Sequence, residues 1–226
     1  VALCSVTACC LLGPLAAGEQ ASLGIDVSHH SGQIDWSAVP SSEYGFVYLK
    51  ATEGVDDADP MFEQHWKALA GSHLRRGAYH FYVTEDDPEE QARFFLSRVP
   101  ELAPGDLPPV VDIEVIGHGT AGELAPKLQR FLDVVEQRLG VTPMIYTAPN
   151  FWEAHFPDTF GRYPLWVAEY GVDEPRLPHG WTEWHLWQFE EDAELPGVEK
   201  GADRSRLHPQ IDLEALAVTT SEASGD

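Results

Sequence analysis

Beyond Cys10 the chain has no cysteine; Cys4, Cys9 and Cys10 are its only three. No disulfide framework braces the rest of the chain, which must hold itself together by a core. Cations are scarce too: 14 Lys and Arg stand against 37 Asp and Glu, a formal net charge of −23. Such a surface lacks the basic footprint of nucleic-acid binding. It also does not suit loose capture by anionic envelopes, and we read the charge as a solubility feature. There is no His-x-x-x-His pair, and adjacent His29 and His30 would point to opposite faces of a strand, so no zinc site is expected. Internal repeats are absent. The one long apolar run is broken by Gly13-Pro14 and is too short to span a bilayer.

What is present fits one domain of 226 residues with a sizeable core. Seven Trp, seven Tyr and ten Phe are enough to fill a core and also to line a sugar cleft. Residues 1–20 read as the remnant of a secretory signal. Val6-Thr7-Ala8-Cys9 fits a lipoprotein signal with Cys9 as the lipidated residue, and Ala16-Ala17-Gly18 fits ordinary cleavage. Either way the protein is exported, to be secreted or lipid-anchored at the cell envelope. Residues 217–226 are small and polar and read as a disordered tail.

Between these ends, strand-like segments recur: 23–28, 46–52, 77–82, 109–114, 144–148, 165–170, 184–189 and 210–213. Helical patterns separate several of them. Residues 61–74 place Phe62, Trp66, Leu69 and Ala70 on one face, 88–99 open with Pro and acids, and 125–139 end at Gly140. Strand–helix alternation predicts an α/β fold, a modified TIM-like β/α barrel of about eight parallel strands. The later connections are too short for helices, so the outer ring should be reduced.

The run Pro108-Pro109-Val110-Val111-Asp112-Ile113-Glu114 stands out. Side chains alternate along a strand, so Asp112 and Glu114 share a face, roughly 7 Å apart. Two carboxylates on a buried strand are costly unless something uses or satisfies them. Crowding separates their pKa values, which equips such a pair for glycosidic cleavage. A barrel site lies at the carboxyl ends of its strands. Those ends supply Asp26, Lys50, Glu53, Tyr79, Tyr82, Asp112, Glu114, Tyr146, Trp166, Tyr170, Gln188 and Asp212. Such a rim, rich in acids and rings, suits a neutral, hydroxyl-rich ligand. Bland readings compete: Asp26 or Asp212 as helix caps, His80 as a satisfied core histidine, Lys50 as an ion-pair partner, and the tyrosines as barrel filling.

Gly24-Ile-Asp-Val-Ser-His29, Leu49-Lys-Ala-Thr-Glu-Gly54, Gly77-Ala-Tyr-His-Phe-Tyr82, Val111-Asp-Ile-Glu114, Leu165-Trp-Val-Ala-Glu-Tyr170, Leu186-Trp-Gln-Phe189 and Ile211-Asp-Leu213 occur in that order. Together they resemble the glycoside hydrolase family 25 lysozymes, the Chalaropsis-type N-acetylmuramidases, over residues 22–216. The resemblance implies a catalytic domain over that span, hydrolysing the β-1,4 bond between N-acetylmuramic acid and N-acetylglucosamine with retention. It implies peptidoglycan glycan strands as partner, a monomer, and no metal or cofactor. Glu114 would be the general acid, Asp112 its partner, and Asp26 and Asp212 the rest of an acidic cluster. Tyr79, Tyr82, Tyr146, Trp166, Tyr170, Gln188, Lys50 and Glu53 would meet the substrate. Two departures stand out. Asp212-Leu213-Glu214 makes a second Asp-x-Glu, of which Glu214 reads as a helix opener. Glu190–Gln210 is long and charged and reads as a loop reshaping one end of the cleft. Two alternatives stay open: an inactive glycan-binding protein on this barrel, and another barrel glycosidase. A family 18 chitinase would place a further Asp at position 110, where this chain has Val.

Overall fold

The computed structural model describes residues 22–117 and 121–219; the segment 1–20 with Cys9 lies outside them. Nine strands follow in chain order: β1 Leu23–Val27, β2 Tyr44–Glu53, β3 Asp57–Ala58, β4 Arg75–Phe81, β5 Val110–Asp112, β6 Met144–Thr147, β7 Leu165–Ala168, β8 Leu186–Ala193 and β9 Ala202–Leu207. The helices are α1 Phe62–Ala68, α2 Pro88–Arg98, α3 Ala121–Leu139, α4 Pro149–His155 and α5 Leu213–Leu216. Eight strands close a barrel in the order β1-β2-β4-β5-β6-β7-β8-β9, with β9 returning to β1; β3 is a short flap on the end of β2.

The barrel is mixed, which corrects the all-parallel expectation. Strand β9 runs antiparallel to both neighbours, β8 and β1. The expected eighth strand at 210–213 is instead a turn leading into α5. Stretch 190–210 is no loop either, because it carries most of a β-hairpin. The hairpin tip is clamped to the loop after β1. Glu199 N–H donates to the Gln33 carbonyl, Gln33 N–H to Glu199 Oε2, and Asp35 N–H to the Gly197 carbonyl.

Period-two alternation explains the interior. Along β2, Phe46 and Tyr48 point into the barrel while Val47, Leu49 and Ala51 face the helices. The interior also receives Val110, Met144, Trp166, Leu186 and Leu207, and Leu213 of α5 closes its base. Two glycines make room for the rings. A Cβ on Gly24 would sit 2.1 Å from the Phe46 ring, and one on Gly77 2.1 Å from the Tyr48 ring. Two residues further along the inward face, the same strands turn polar.

The outer layer is reduced, as expected. Asp87 caps α2 by accepting from Glu89 and Glu90 N–H, with Pro88 in the first turn. Leu124, Leu128, Phe131, Leu132 and Val135 of α3 are buried against the barrel. Each such side chain contributes about 1.5–3 kcal/mol. Among the described residues, no helix covers β8–β9. Ala217 is buried, and Val218 exchanges backbone hydrogen bonds with Gly105 and Asp106, so these two belong to the fold rather than to a tail.

Candidate active site

Polar inward positions converge at the carboxyl end of the barrel. Asp26, Lys50, Tyr79, Asp112, Glu114, Tyr146, Trp166 and Gln188 line one cleft, and Ser28, His30, Phe81 and Asp203 join them. Asp112 is buried, and its Oδ1 has no hydrogen-bond partner among the described residues. Glu114 follows on the same face and keeps an exposed edge. Trp166 is 2 % exposed, its ring centroid 4.9 Å from that of Tyr48 and 5.0 Å from that of Tyr146. Its Nε1 donates to Ser205 Oγ at 3.0 Å. Trp166 and Tyr146 therefore fill the barrel and also floor the cleft.

Gln188 is the hub of the polar layer. Its Nε2 donates to Asp26 Oδ2 at 2.9 Å and to Asp203 Oδ2 at 3.3 Å. Its Oε1 accepts from Tyr146 at 2.7 Å and from Tyr170 at the rim. Lys50 bonds Glu53 and lies 5.1 Å from the centre of the Phe81 ring. Glu53 thus enters the site through Lys50.

The carboxylates hold protons unusually well. Burial raises the pKa of Asp112 well above the ordinary value; Glu114 and Asp26 add to this and Lys50 opposes it. Glu114 is raised by the protein around it and then by Asp203 and Glu191, against Lys50 and Tyr146. Asp26 is raised by burial and by Asp203, with the Gln188 hydrogen bond opposing. Asp203 is raised by burial, opposed by a hydrogen bond from Asp192 N–H at 2.9 Å. At least one proton shared among four close acids is the expected result.

Two predicted residues lie elsewhere. Asp212 is exposed and caps α5 by accepting from Glu214 N–H at 3.0 Å. Glu214 pairs with Arg75, the first residue of β4, at the opposite end of the barrel from the cleft. Tyr82 lies one residue beyond β4 and points outward, its ring 5.5 Å from that of Phe131 in α3. His80 is a core residue. It bonds Thr52 Oγ1 and Gln91 Oε1 and stacks on Phe131 at 4.9 Å, and burial pushes its pKa down to about 3. Sequence reasoning missed Asp203, which takes the place expected for Asp212. Counting back by twos from Leu207 passes Ser205 and reaches Asp203 on the inward face. Among the described residues, no group of three or more His, Cys, Asp or Glu could hold a metal ion.

Clustered carboxylates beside aromatic rings at the carboxyl end of a β/α barrel define the class: a barrel glycosidase. Comparison with known proteins makes this specific. The family model for glycosyl hydrolases family 25 matches residues 25–198. Lysozyme M1 of Streptomyces globisporus is 32 % identical over 200 residues, covering 82 % of this chain and 67 % of that protein. The uncharacterized protein YegX of Escherichia coli K12 is 34 % identical over 185 residues, covering 80 % and 67 %. The crystal structure of a lysozyme from Streptomyces coelicolor superposes with a TM-score of 0.81 at 30 % identity, covering 87 % of this chain and 97 % of that one. This chain belongs to glycosyl hydrolase family 25, and it is a glycoside hydrolase.

Proposed function

We propose that the protein is a lysozyme, an N-acetylmuramidase that cleaves the β-1,4 bond between N-acetylmuramic acid and N-acetylglucosamine in peptidoglycan. The observation that carries this reading is the pairing of Asp112, the last residue of β5, with Glu114 two residues beyond it, inside a cleft walled by Tyr79, Phe81, Tyr146 and Trp166. Relatives named lysozyme and N,O-diacetylmuramidase support the substrate class.

Glu114, open to the cleft and raised in pKa, is the general acid: it protonates the leaving glycosidic oxygen as that bond breaks. Asp112 lies deeper. It acts on the other face of the sugar, as nucleophile or by orienting the substrate acetamido group, and the configuration is retained after water attacks. Asp26 and Asp203 complete the acidic set, and their negative charge favours the positive charge that develops on the sugar ring. Lys50 limits proton uptake by Asp112 and Glu114. The chemistry needs no metal or cofactor. The catalytic unit is residues 22–218, working as a monomer. An exported protein fits a wall substrate, whether freely secreted or anchored through Cys9.

Digestion of purified peptidoglycan, borohydride reduction and mass spectrometry of the fragments test the reading. Fragments ending in reduced N-acetylmuramitol are expected. Ends in reduced glucosaminitol would make the enzyme a glucosaminidase. Binding without cleavage would favour the glycan-binding alternative.

A further inference from the structure

Gln188 was expected to touch sugar, but its contacts assign it a different task. The residue is 2 % exposed. Its carbonyl oxygen can only accept and its amide nitrogen can only donate. The oxygen receives the hydroxyls of Tyr146 and Tyr170, and the nitrogen serves Asp26 and Asp203. A flipped amide would set its oxygen against two carboxylates. With Asp26 and Asp203 ionised, this orientation is the favoured one.

We propose that Gln188 is a positioning residue that polarises the acid cluster, keeping Asp26 and Asp203 as the ionised side and leaving the proton with Asp112 and Glu114. This rests on the glycosidase reading above. Tyr146 and Tyr170 hold that polarity in place. Both hydroxyls donate to Gln188 Oε1, so the carbonyl faces the tyrosines and the amide nitrogen faces the carboxylates. A directed chain results: Tyr146 and Tyr170 to Gln188, Gln188 to Asp26 and Asp203.

Other charged groups facing the chain fit this direction. Lys50 of β2 stands by Asp112 and Glu114, but Glu53 already engages it. From the hairpin, Asp192 gives its backbone N–H to Asp203, a second donor to the ionised side. Asp192 adopts a left-handed backbone, φ 50°, at an irregularity in the β8–β9 register. Glu191 of the same hairpin adds negative charge near Glu114 and favours its proton. Tyr79 of β4 also lines the cleft, its pKa raised by burial first and then by Asp26 and Asp112.

Carbon-13 carboxyl NMR titration of the wild type and of Gln188→Met reads the proposal directly. The Asp26 midpoint is expected to move up by about one unit once its amide donor is gone. On peptidoglycan fragments, kcat is expected to fall about 100-fold with KM within about threefold, and the acid limb of kcat/KM to move to higher pH. An unmoved Asp26 titration and an unmoved profile would overturn the proposal and leave Gln188 a packing role. A raised KM at full kcat would overturn it in favour of a sugar contact. Tyr170→Phe, at the rim, removes one of the two hydroxyls that orient the amide. It must move the Asp26 titration the same way by less, and it decides the matter if Gln188→Met does not fold. A wild type that fails to cleave peptidoglycan would refute the enzymatic reading and still leave the titration readable.

Discussion

Asp26 and Asp203 face each other as register partners on the antiparallel strands β1 and β9. Like charges directly opposite in a sheet are destabilising, and here both also lose solvation. Under the proposed function the pair serves chemistry rather than stability. Asp203→Asn is expected to raise stability by about 1 kcal/mol at pH 7. The same change should lower kcat about 100-fold. Thermal melts and single-substrate kinetics check both; a variant that is more stable and fully active would remove Asp203 from the catalytic set.

The two Asp-x-Glu sequences make opposite predictions. Glu114→Gln should abolish cleavage in a folded protein, because the amide cannot protonate the leaving oxygen. Glu214→Gln loses only an exposed pair with Arg75, so activity should be unchanged and stability should fall by less than about 1 kcal/mol. A silent Glu114→Gln beside a dead Glu214→Gln would reverse the site assignment.

Asp112 gives a pH signature in stability. Its pKa is raised in the folded state, so folding takes up a proton between the unfolded and folded values. In that window the native state binds more protons, and the contribution of Asp112 to stability falls as pH rises. Asp112→Asn removes that loss. The variant should therefore be more stable than the wild type at pH 8, with the difference shrinking as pH falls through the folded pKa of Asp112. Paired urea melts across pH measure this; a difference that grows toward acid would contradict the raised pKa.

Tyr82 separates platform from packing. Its hydroxyl is buried without a partner among the described residues, on the helix side of β4. Tyr82→Phe is expected to leave kcat/KM within about twofold and stability equal or slightly higher. A large rise in KM would return Tyr82 to the sugar-binding set.

Gly77 tests the filling of the barrel. An added methyl would meet Tyr48 Cε1 at 2.1 Å, and Tyr48 is held by a hydrogen bond to the Pro108 carbonyl and by the Trp166 ring. Gly77→Ala should cost about 1–3 kcal/mol or more and disturb the cleft floor through Trp166. Denaturant unfolding gives the first figure and tryptophan fluorescence reports the second.

Legibility in the sequence followed burial. Strands β2, β6 and β7 are covered on both faces, so their apolar runs announced them. Strand β9 escaped notice for the converse reason. Its inward face carries Asp203 and Ser205 because it begins in the polar layer, and Arg206 faces outward, uncovered by any helix among the described residues. Ile211-Asp212-Leu213 imitated a short strand, but its Asp is a cap acceptor, and local spacing does not separate those roles. Asp112 and Glu114 were readable because alternation alone sets them on one face. The grouping of Gln188 with Asp26 and Asp203 was not, because it depends on which strand closes the barrel and in which direction.

That closing seam has a kinetic meaning. Asp26 enters on the first strand and Asp203 on the last, so the complete acid set requires contacts of great sequence separation, whose loop-closure entropy must be met before the seam rewards it. During synthesis, β1 reaches the outside of the ribosome long before its antiparallel partner does. A chain interrupted before β9 has Asp112 and Glu114 but an open barrel edge and half of its proton-distributing chain. Under the proposed function, competence to cut arrives with the final hairpin, as a late and nearly all-or-none event.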